Sequence, residues 1–385
     1  MKMARNVGII NFQYSDHNYG AVLQAAALEN FLNSKGIKAL HIDYVSEPIE
    51  TKQDILSVMK YVFRKTGLTV ILKKLLGKPI IIKHAIRNEK VFEDFRHKWV
   101  QRTQRFKCVD ELSNTELCFD AVIVGSDQVW RPKMFTRLCD YKVYFLSFLP
   151  DSVTRISYAA SFGVDNWEIE SSNITNDIRS YISKFSAVSV RESSGKNICK
   201  DVFDADAEVV LDPTLLIGSD FFEQIIKKEH SDDLELKEIV YYKLDVDDEF
   251  LKNITKLGHV LSKSVTNIYY NKTKSGYEYY SVSDWLNNIK KSEIIVTDSF
   301  HCVCFSILFK KEFLCCVNES RGLSRLQSLL SLLNINDRIC FSSEDFSTKL
   351  NSLEPIDYEN VEQHLLRLRE SSERFLMNSL LLDSI

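Results

Sequence analysis

A chain of 385 residues is about twice the length of an ordinary domain of roughly 100–200 residues, so two domains are expected. Hydrophobic residues at 45% and charged residues at 26% exclude a disordered or fibrous protein. With 49 Lys plus Arg against 53 Asp plus Glu, the formal charge of −4 favours no nucleic-acid partner, and any basic surface must be local.

The β-branched run Val7–Ile10 reads as a strand, followed by the polar turn Ser15–Gly20 and an apolar-periodic helix over Ala21–Leu32 that ends at Gly36. Ala39–Asp43 is the next strand, so the chain opens with a βαβ unit, which implies a parallel sheet. Strands are expected at Ala121–Val124, Arg155–Ala159, Ala187–Val190 and Glu208–Leu211, with helices at Trp167–Ser183 and Glu192–Asp201. Asp212-Pro213-Thr214 breaks this alternation and marks a boundary between an N-terminal domain, 1–214, and a second α/β domain, 215–350. In the second domain, strands at Ile239–Leu244, Val265–Tyr269, Glu293–Thr297 and Phe313–Val317 alternate with helices at Asp247–Leu257, Val282–Lys291 and Phe300–Phe309. The segment 355–385 carries helical spacing through Val361, Leu365, Leu368, Phe375 and Leu376 and is expected to cross back onto the first domain.

An insert at about 50–105 departs from its surroundings. Between Lys52 and Arg87, the positive residues Lys52, Lys60, Arg64, Lys65, Lys73, Lys74, Lys78, Lys83 and Arg87 stand against the single acid Asp54 and are interleaved with apolar residues. Such a stretch suits the anionic surface of a membrane, and equally a solvated helical pair packed on the first domain. The nine cysteines are scattered, odd in number and mostly within apolar runs, as reduced thiols in the cytoplasm would be. The opening residues lack a signal-peptide cleavage site, and apolar runs such as Phe300–Phe309 fall short of the ~20 residues of a membrane span. The expectation is a cytoplasmic protein with peripheral contact at the inner face of the membrane through 52–87.

In open α/β sheets, ligands bind beyond the carboxyl ends of the strands, so polar residues just after each strand are the candidates. After the first strand, Asn18, Tyr19 and Gly20 offer either an anion-facing helix start or a plain capped turn. Gly125-Ser126-Asp127-Gln128-Val129-Trp130 joins a carboxylate, an amide and an indole, a set suited to sugar hydroxyls and ring stacking; Asp127 can equally only cap a helix. Arg191 follows an apolar strand, where it can grip a carboxylate or phosphate, or merely pair with Glu192. Ser299-Phe300-His301 opens the helix after Thr297, with the imidazole at a positively polarised helix start. Arg321 and Arg325 can add positive charge. Neither a dinucleotide fingerprint nor a P-loop is present.

Together these segments resemble the polysaccharide pyruvyl transferase family: N-Y-G-A-V-L-Q at Asn18–Gln24, V-G-S-D-Q-V-W at Val124–Trp130, Y-F-L-S-F at Tyr144–Phe148 and S-Y-A-A-S-F-G at Ser157–Gly163. The series continues with S-V-R-E at Ser189–Glu192, L-D-P-T-L-L at Leu211–Leu216, T-D-S-F-H at Thr297–His301 and S-R-L-Q-S-L-L at Ser324–Leu330. The resemblance implies two Rossmann-like domains with parallel sheets in a GT-B-like arrangement, with the active site in the interdomain cleft. It also implies transfer of pyruvate from phosphoenolpyruvate to two hydroxyls of a sugar in a surface-polysaccharide precursor, free or lipid-linked, giving a cyclic ketal and phosphate without metal or organic cofactor. By the same resemblance His301 is the general acid or holds the departing phosphate. Arg191, Arg325, Arg321, Ser299, Asn18, Tyr19 and Gly20 face the donor. Asp127 orients or deprotonates an acceptor hydroxyl, with Gln128 and Trp130 beside it. Better-known members carry Arg-Leu-His where this chain has Ser299-Phe300-His301, so a donor-binding arginine must come from elsewhere, Arg325 or Arg321. A GT-B glycosyltransferase using a nucleotide sugar, and a non-catalytic sugar-binding protein, fit the same architecture; the two arginines favour a small dianion over a ribose.

Overall fold

The computed structural model describes residues 2–47, 81–229, 236–317 and 323–382. Residues 52–78 of the basic insert, and Arg321, lie outside the described residues. Lys83 and Arg87, at the end of the insert, are exposed.

The N-terminal half is built on five parallel strands, β1 (Asn6–Ile10), β2 (Lys38–Tyr44), β3 (Arg102–Phe106), β4 (Ala121–Val124) and β5 (Thr154–Ser157), in the spatial order β3-β2-β1-β4-β5. Val7 pairs with Ala121 and Ile10 with Val124, and the apolar side chains of β1 and β4 are fully buried, as expected of a parallel sheet covered on both faces. Bridges from Ile156 to Ala187 and from Ala160 to Val190 extend this sheet to the parallel pair β6 (Ser189–Val190) and β7 (Glu208–Val209). The strand β3, R-T-Q-R-F, is not apparent in the sequence because its residues are polar; it forms because β2 offers a free edge.

The second half carries β8 (Lys237–Tyr242), β9 (Val265–Asn267), β10 (Ser292–Thr297), β11 (Glu312–Val317) and β12 (Ile339–Phe341), all parallel, in the order β9-β8-β10-β11-β12. Strand order reverses between β1 and β4 in one sheet and between β8 and β10 in the other, the switch points where ligand sites form. A third, small sheet joins the halves: the hairpin Tyr270–Thr273 and Gly276–Tyr279 pairs in parallel with Ile86–Arg87.

Helix α1 (Tyr19–Ser34) follows β1 and is buried on nearly every side, as a helix sandwiched between layers must be. Its start belongs to a core shared by both halves, in which Tyr19 stacks on Trp285 with ring centroids 4.9 Å apart and planes 4° from parallel. Helix α2 (Phe300–Leu308) follows β10, and α3 (Leu323–Leu332) lies between β11 and β12. Helix α4 (Tyr358–Ser379) begins on the second half, where the Tyr358 hydroxyl donates to the carbonyls of Ser306 and Lys311. It ends on the first, where Leu211 N–H donates to Ser372 Oγ at 2.9 Å and Arg369 Nε to the Leu215 carbonyl at 2.7 Å. Beyond it Leu381–Leu382 pairs antiparallel with Lys2–Met3.

One buried pair makes the first half sensitive to pH. Burial pushes the Glu29 carboxyl up to about 7 and the His41 imidazole down to about 3, with Glu29 Oε2 3.5 Å from His41 Nε2. Because the Glu29 value is raised on folding, its neutral form favours the folded state below the unfolded carboxyl value near 4.3, and that advantage is lost as pH rises through about 7. Glu29→Gln is therefore expected to raise the melting temperature at pH 8 and to change it little at pH 4.5; equal shifts at both values would show that Glu29 is not the titrating group.

Candidate active site

Asp212, the residue at the expected domain boundary, lies at the centre of a buried polar cluster. Pro213 occupies the first position of the short helix Pro213–Ile217, and Asp212 caps it, its Oδ1 accepting from Thr214 N–H at 2.9 Å and Thr214 Oγ1 at 2.7 Å. Its other oxygen, Oδ2, accepts from Ser126 Oγ and from Arg191 Nη1, each at 2.7 Å, and stands 3.5 Å from His301 Nε2. Burial alone would push the Asp212 carboxyl upward; the charges of His301 and Arg191 and the Thr214 hydrogen bond outweigh it and hold the group well below the usual carboxylate range. Asp212 is thus a carboxylate, 1% exposed, that serves Arg191, His301 and two hydroxyls.

Arg191 follows β6 directly. Its neighbour in the chain, Glu192, is engaged elsewhere: Glu192 Oε1 accepts from Ser161 Oγ and from the N–H groups of Phe162 and Gly163. Arg191 pairs instead with Asp212 and, at 3.7 Å, with Asp127. Burial would lower its pKa, but Asp212, Asp127 and Glu192 raise it, and its guanidinium carbon lies 4.1 Å from the centre of the Phe300 ring. Phe300 thereby supports the arginine face-on, while Ser299 caps α2 by accepting from Cys302 N–H at 3.4 Å.

His301 is 5% exposed and is seated by Gly20. A Cβ at Gly20 would fall 2.1 Å from His301 Nδ1 and 2.3 Å from its Cγ, so only glycine lets α1 approach the imidazole this closely. The expected contact of Gly20 with a ligand is replaced by contact with a site side chain. Arg325 reaches the cluster from α3, which is docked on the first half through Ser328 Oγ, 3.3 Å from both Ser193 N–H and Ser193 Oγ. Burial first, and then the nearby charge of Arg191, lower the Arg325 guanidinium to about 10. Among the described residues, Arg191 Nε and Nη2, Arg325 Nε and His301 Nε2 are shielded from solvent without a hydrogen-bond partner.

Asp127, 5% exposed, closes the cluster at the end of β4. It adopts a left-handed backbone with φ of 78°, held by Ser161 N–H and Val129 N–H donating to its carbonyl at 3.0 and 2.8 Å. Gln128 sits beside it, its Oε1 accepting from Arg131 Nη1 at 3.0 Å. Burial corrects two expectations, those for Trp130 and Tyr19, and Asn18 takes the capping role that the sequence also allows. Trp130 is 0% exposed, stacks on Phe145 and donates Nε1–H to the Tyr144 carbonyl at 3.0 Å, so its ring cannot receive a sugar. Tyr19 is equally enclosed, its hydroxyl donating to the carbonyls of Tyr269 and Tyr280, and it joins the two halves rather than facing a donor. Asn18 uses its Oδ1 to accept from Ala21 N–H at 3.3 Å, the plain helix cap. Asp212 escapes a reading of the sequence for site residues because its capping role alone accounts for Asp-Pro-Thr; its position after a strand pair is the available signal.

The profile of the family described as polysaccharide pyruvyl transferase matches residues 18–320, which contain every member of the cluster except Arg325. The chain belongs to the polysaccharide pyruvyl transferase family. No curated protein matches it significantly. Among solved structures, this pyruvyl transferase family member is similar to the S. aureus MnaA–UDP co-structure, with 10% identity, a TM-score of 0.50 and coverage of 98% of this chain and 91% of that one. It is also similar to the Acinetobacter baumannii MurG structure, at 12% identity and TM-score 0.41 over 97% of this chain and 99% of that one. Likeness at such identity concerns the fold, which is the GT-B arrangement of two Rossmann-like halves. Among the described residues no group of three or more His, Cys, Asp and Glu is arranged to hold a metal ion, and no helix is long and apolar enough to cross a membrane.

Proposed function

We propose that this transferase moves the pyruvyl unit of phosphoenolpyruvate onto two hydroxyls of one sugar of a polysaccharide precursor. The observation that carries the reading is the set of solvent-shielded nitrogens on Arg191, Arg325 and His301 that lack a hydrogen bond, Arg191 Nη2 and His301 Nε2 being only at ion-pair distance from Asp127 and Asp212. Buried donors without partners are costly, and a small anion bearing a carboxylate and a phosphate offers the acceptors they lack. Among the described residues three buried carboxylates, Asp127, Glu192 and Asp212, stand around the two guanidiniums.

In this mechanism Arg191 and Arg325 hold the donor, and His301 gives its proton to the methylene carbon as the C2 centre becomes oxocarbenium-like. One acceptor hydroxyl attacks C2 and passes its proton to Asp127. The second hydroxyl attacks C2 as the C2–O bond to phosphate breaks; its proton returns to His301, and that on Asp127 leaves with phosphate. Asp212 touches no reactant: it fixes His301 and Arg191 and balances their charge.

The test is a thermal shift with phosphoenolpyruvate and with UDP-sugars, followed by phosphate release in the presence of a glycan acceptor. Stabilisation by phosphoenolpyruvate alone is expected, and His301→Ala should lower phosphate release by about 10²–10⁴-fold. Stabilisation by UDP-sugars alone, or full activity of His301→Ala, would reject the reading.

A further inference from the structure

Trp130 is enclosed, but a partly exposed aromatic group lies where the two halves meet in the small third sheet. The hairpin 270–279 and residue 84 bring His84, Tyr270 and Tyr277 together: His84 lies 4.0 Å from Tyr277 at 33° and 5.5 Å from Tyr270, and the two tyrosine rings are 5.1 Å apart. Tyr269 continues the group at 5.8 Å from Tyr270. All four residues are only partly buried, whereas the neighbouring rings Tyr19, Tyr242 and Trp285 are 0–1% exposed.

Both halves build this surface, since Ile86–Arg87 of the first pairs with Tyr277–Glu278 of the second. It is also continuous with the polar cluster. The Tyr269 hydroxyl donates to the His17 carbonyl at 3.4 Å, the Tyr269 carbonyl accepts from Tyr19, and the residue after Tyr19 is Gly20, the seat of His301. Partly exposed rings with polar edges suit a ligand that has an apolar C–H face and a hydroxylated rim, which describes a pyranose. Asn271 and Lys272, both exposed on the hairpin, add hydrogen-bonding groups at that rim.

We infer that His84, Tyr270 and Tyr277 form the platform on which the acceptor pyranose stacks, a reading that rests on the proposed transfer only for the word acceptor. The test uses the full chain and saturation-transfer NMR with three probes: methyl β-D-galactopyranoside, methyl β-D-glucopyranoside and N-acetylmannosamine. Ring C–H protons of at least one probe should gain saturation. Its apparent affinity should fall about tenfold in Tyr270→Ala and Tyr277→Ala and hold in the Phe variants, with the phosphoenolpyruvate thermal shift unchanged in all. His84→Ala, in a residue without a backbone role in the hairpin, gives the same readout should a tyrosine-to-alanine variant unfold. Full sugar affinity in folded Tyr277→Ala or His84→Ala, or no saturation of any probe, would overturn the platform. Tyrosine-dependent sugar binding without a phosphoenolpyruvate shift keeps the platform and rejects the transfer chemistry; a phosphoenolpyruvate shift with tyrosine-independent sugar binding does the reverse.

Discussion

Asp212→Asn should destabilise the folded chain by about 3–5 kcal/mol at pH 7 and lower turnover by about two orders of magnitude. The amide keeps the shape of the carboxylate but not its acceptors. If its oxygen faces Thr214, its NH₂ opposes the donors Ser126 Oγ and Arg191 Nη1; flipped, it opposes Thr214 N–H. Either way a buried donor is left unpaired, and Arg191 and His301 lose their shared counter-charge. Because the Asp212 value is depressed on folding, its contribution is complete above the unfolded carboxyl value near 3.9 and is lost as pH falls through the lower folded value. Urea melts of both proteins at pH 7, 5 and 3 should show the stability gap undiminished from pH 7 to 5 and narrower at pH 3. A gap independent of pH would mean that the carboxylate charge is not what stabilises this centre.

Gly20→Ala should reverse the usual rule for helices. Inside a helix alanine is favoured over glycine by about 1 kcal/mol, and Gly20 is the second residue of α1. The added methyl would, however, stand 2.1 Å from His301 Nδ1, and the imidazole is itself buried, so either the ring or the helix start must move. A loss of about 1–3 kcal/mol is expected from overpacking, together with a fall in turnover of about a hundredfold, since His301 would leave its place beside Asp212. Phosphoenolpyruvate should still stabilise the variant through Arg191 and Arg325. Calorimetry and steady-state phosphate release check both parts; a stable, fully active Gly20→Ala would show that the close approach is unimportant.

Much of the fold is legible in the sequence because most of its sheet strands are apolar. Val7–Ile10, Ala121–Val124 and Glu293–Thr297 are recognisable as buried runs, and the strands lie at Asn6–Ile10, Ala121–Val124 and Ser292–Thr297. Arg102–Phe106 and the hairpin 270–279 are not, since their residues are polar or aromatic and their pairing is decided by a distant edge. The predicted helix Trp167–Ser183 is shorter, Ser172–Ile182, because Trp167 packs as a single ring against Phe203 and Phe162. In the polar cluster His301, Arg191 and Asp127 can be read from their places after strands. Trp130 misleads because the direction of a ring after a turn depends on partners such as Phe145, which sequence order does not reveal. Asp212 is hidden by its adequacy as a cap.

The return of α4 to the first half means that the backbone passes between the halves twice, once beyond Asp212 and once along 358–379. These two crossings, with the core that both halves share around Tyr19 and Trp285, tie the halves to one another. Asp212 stands at the first of these crossings and also holds Arg191. His301, on the second half, stands 3.5 Å from Asp212, so the cluster is assembled from both sides of that crossing. The joint between the halves and the centre of the polar cluster are therefore the same residue.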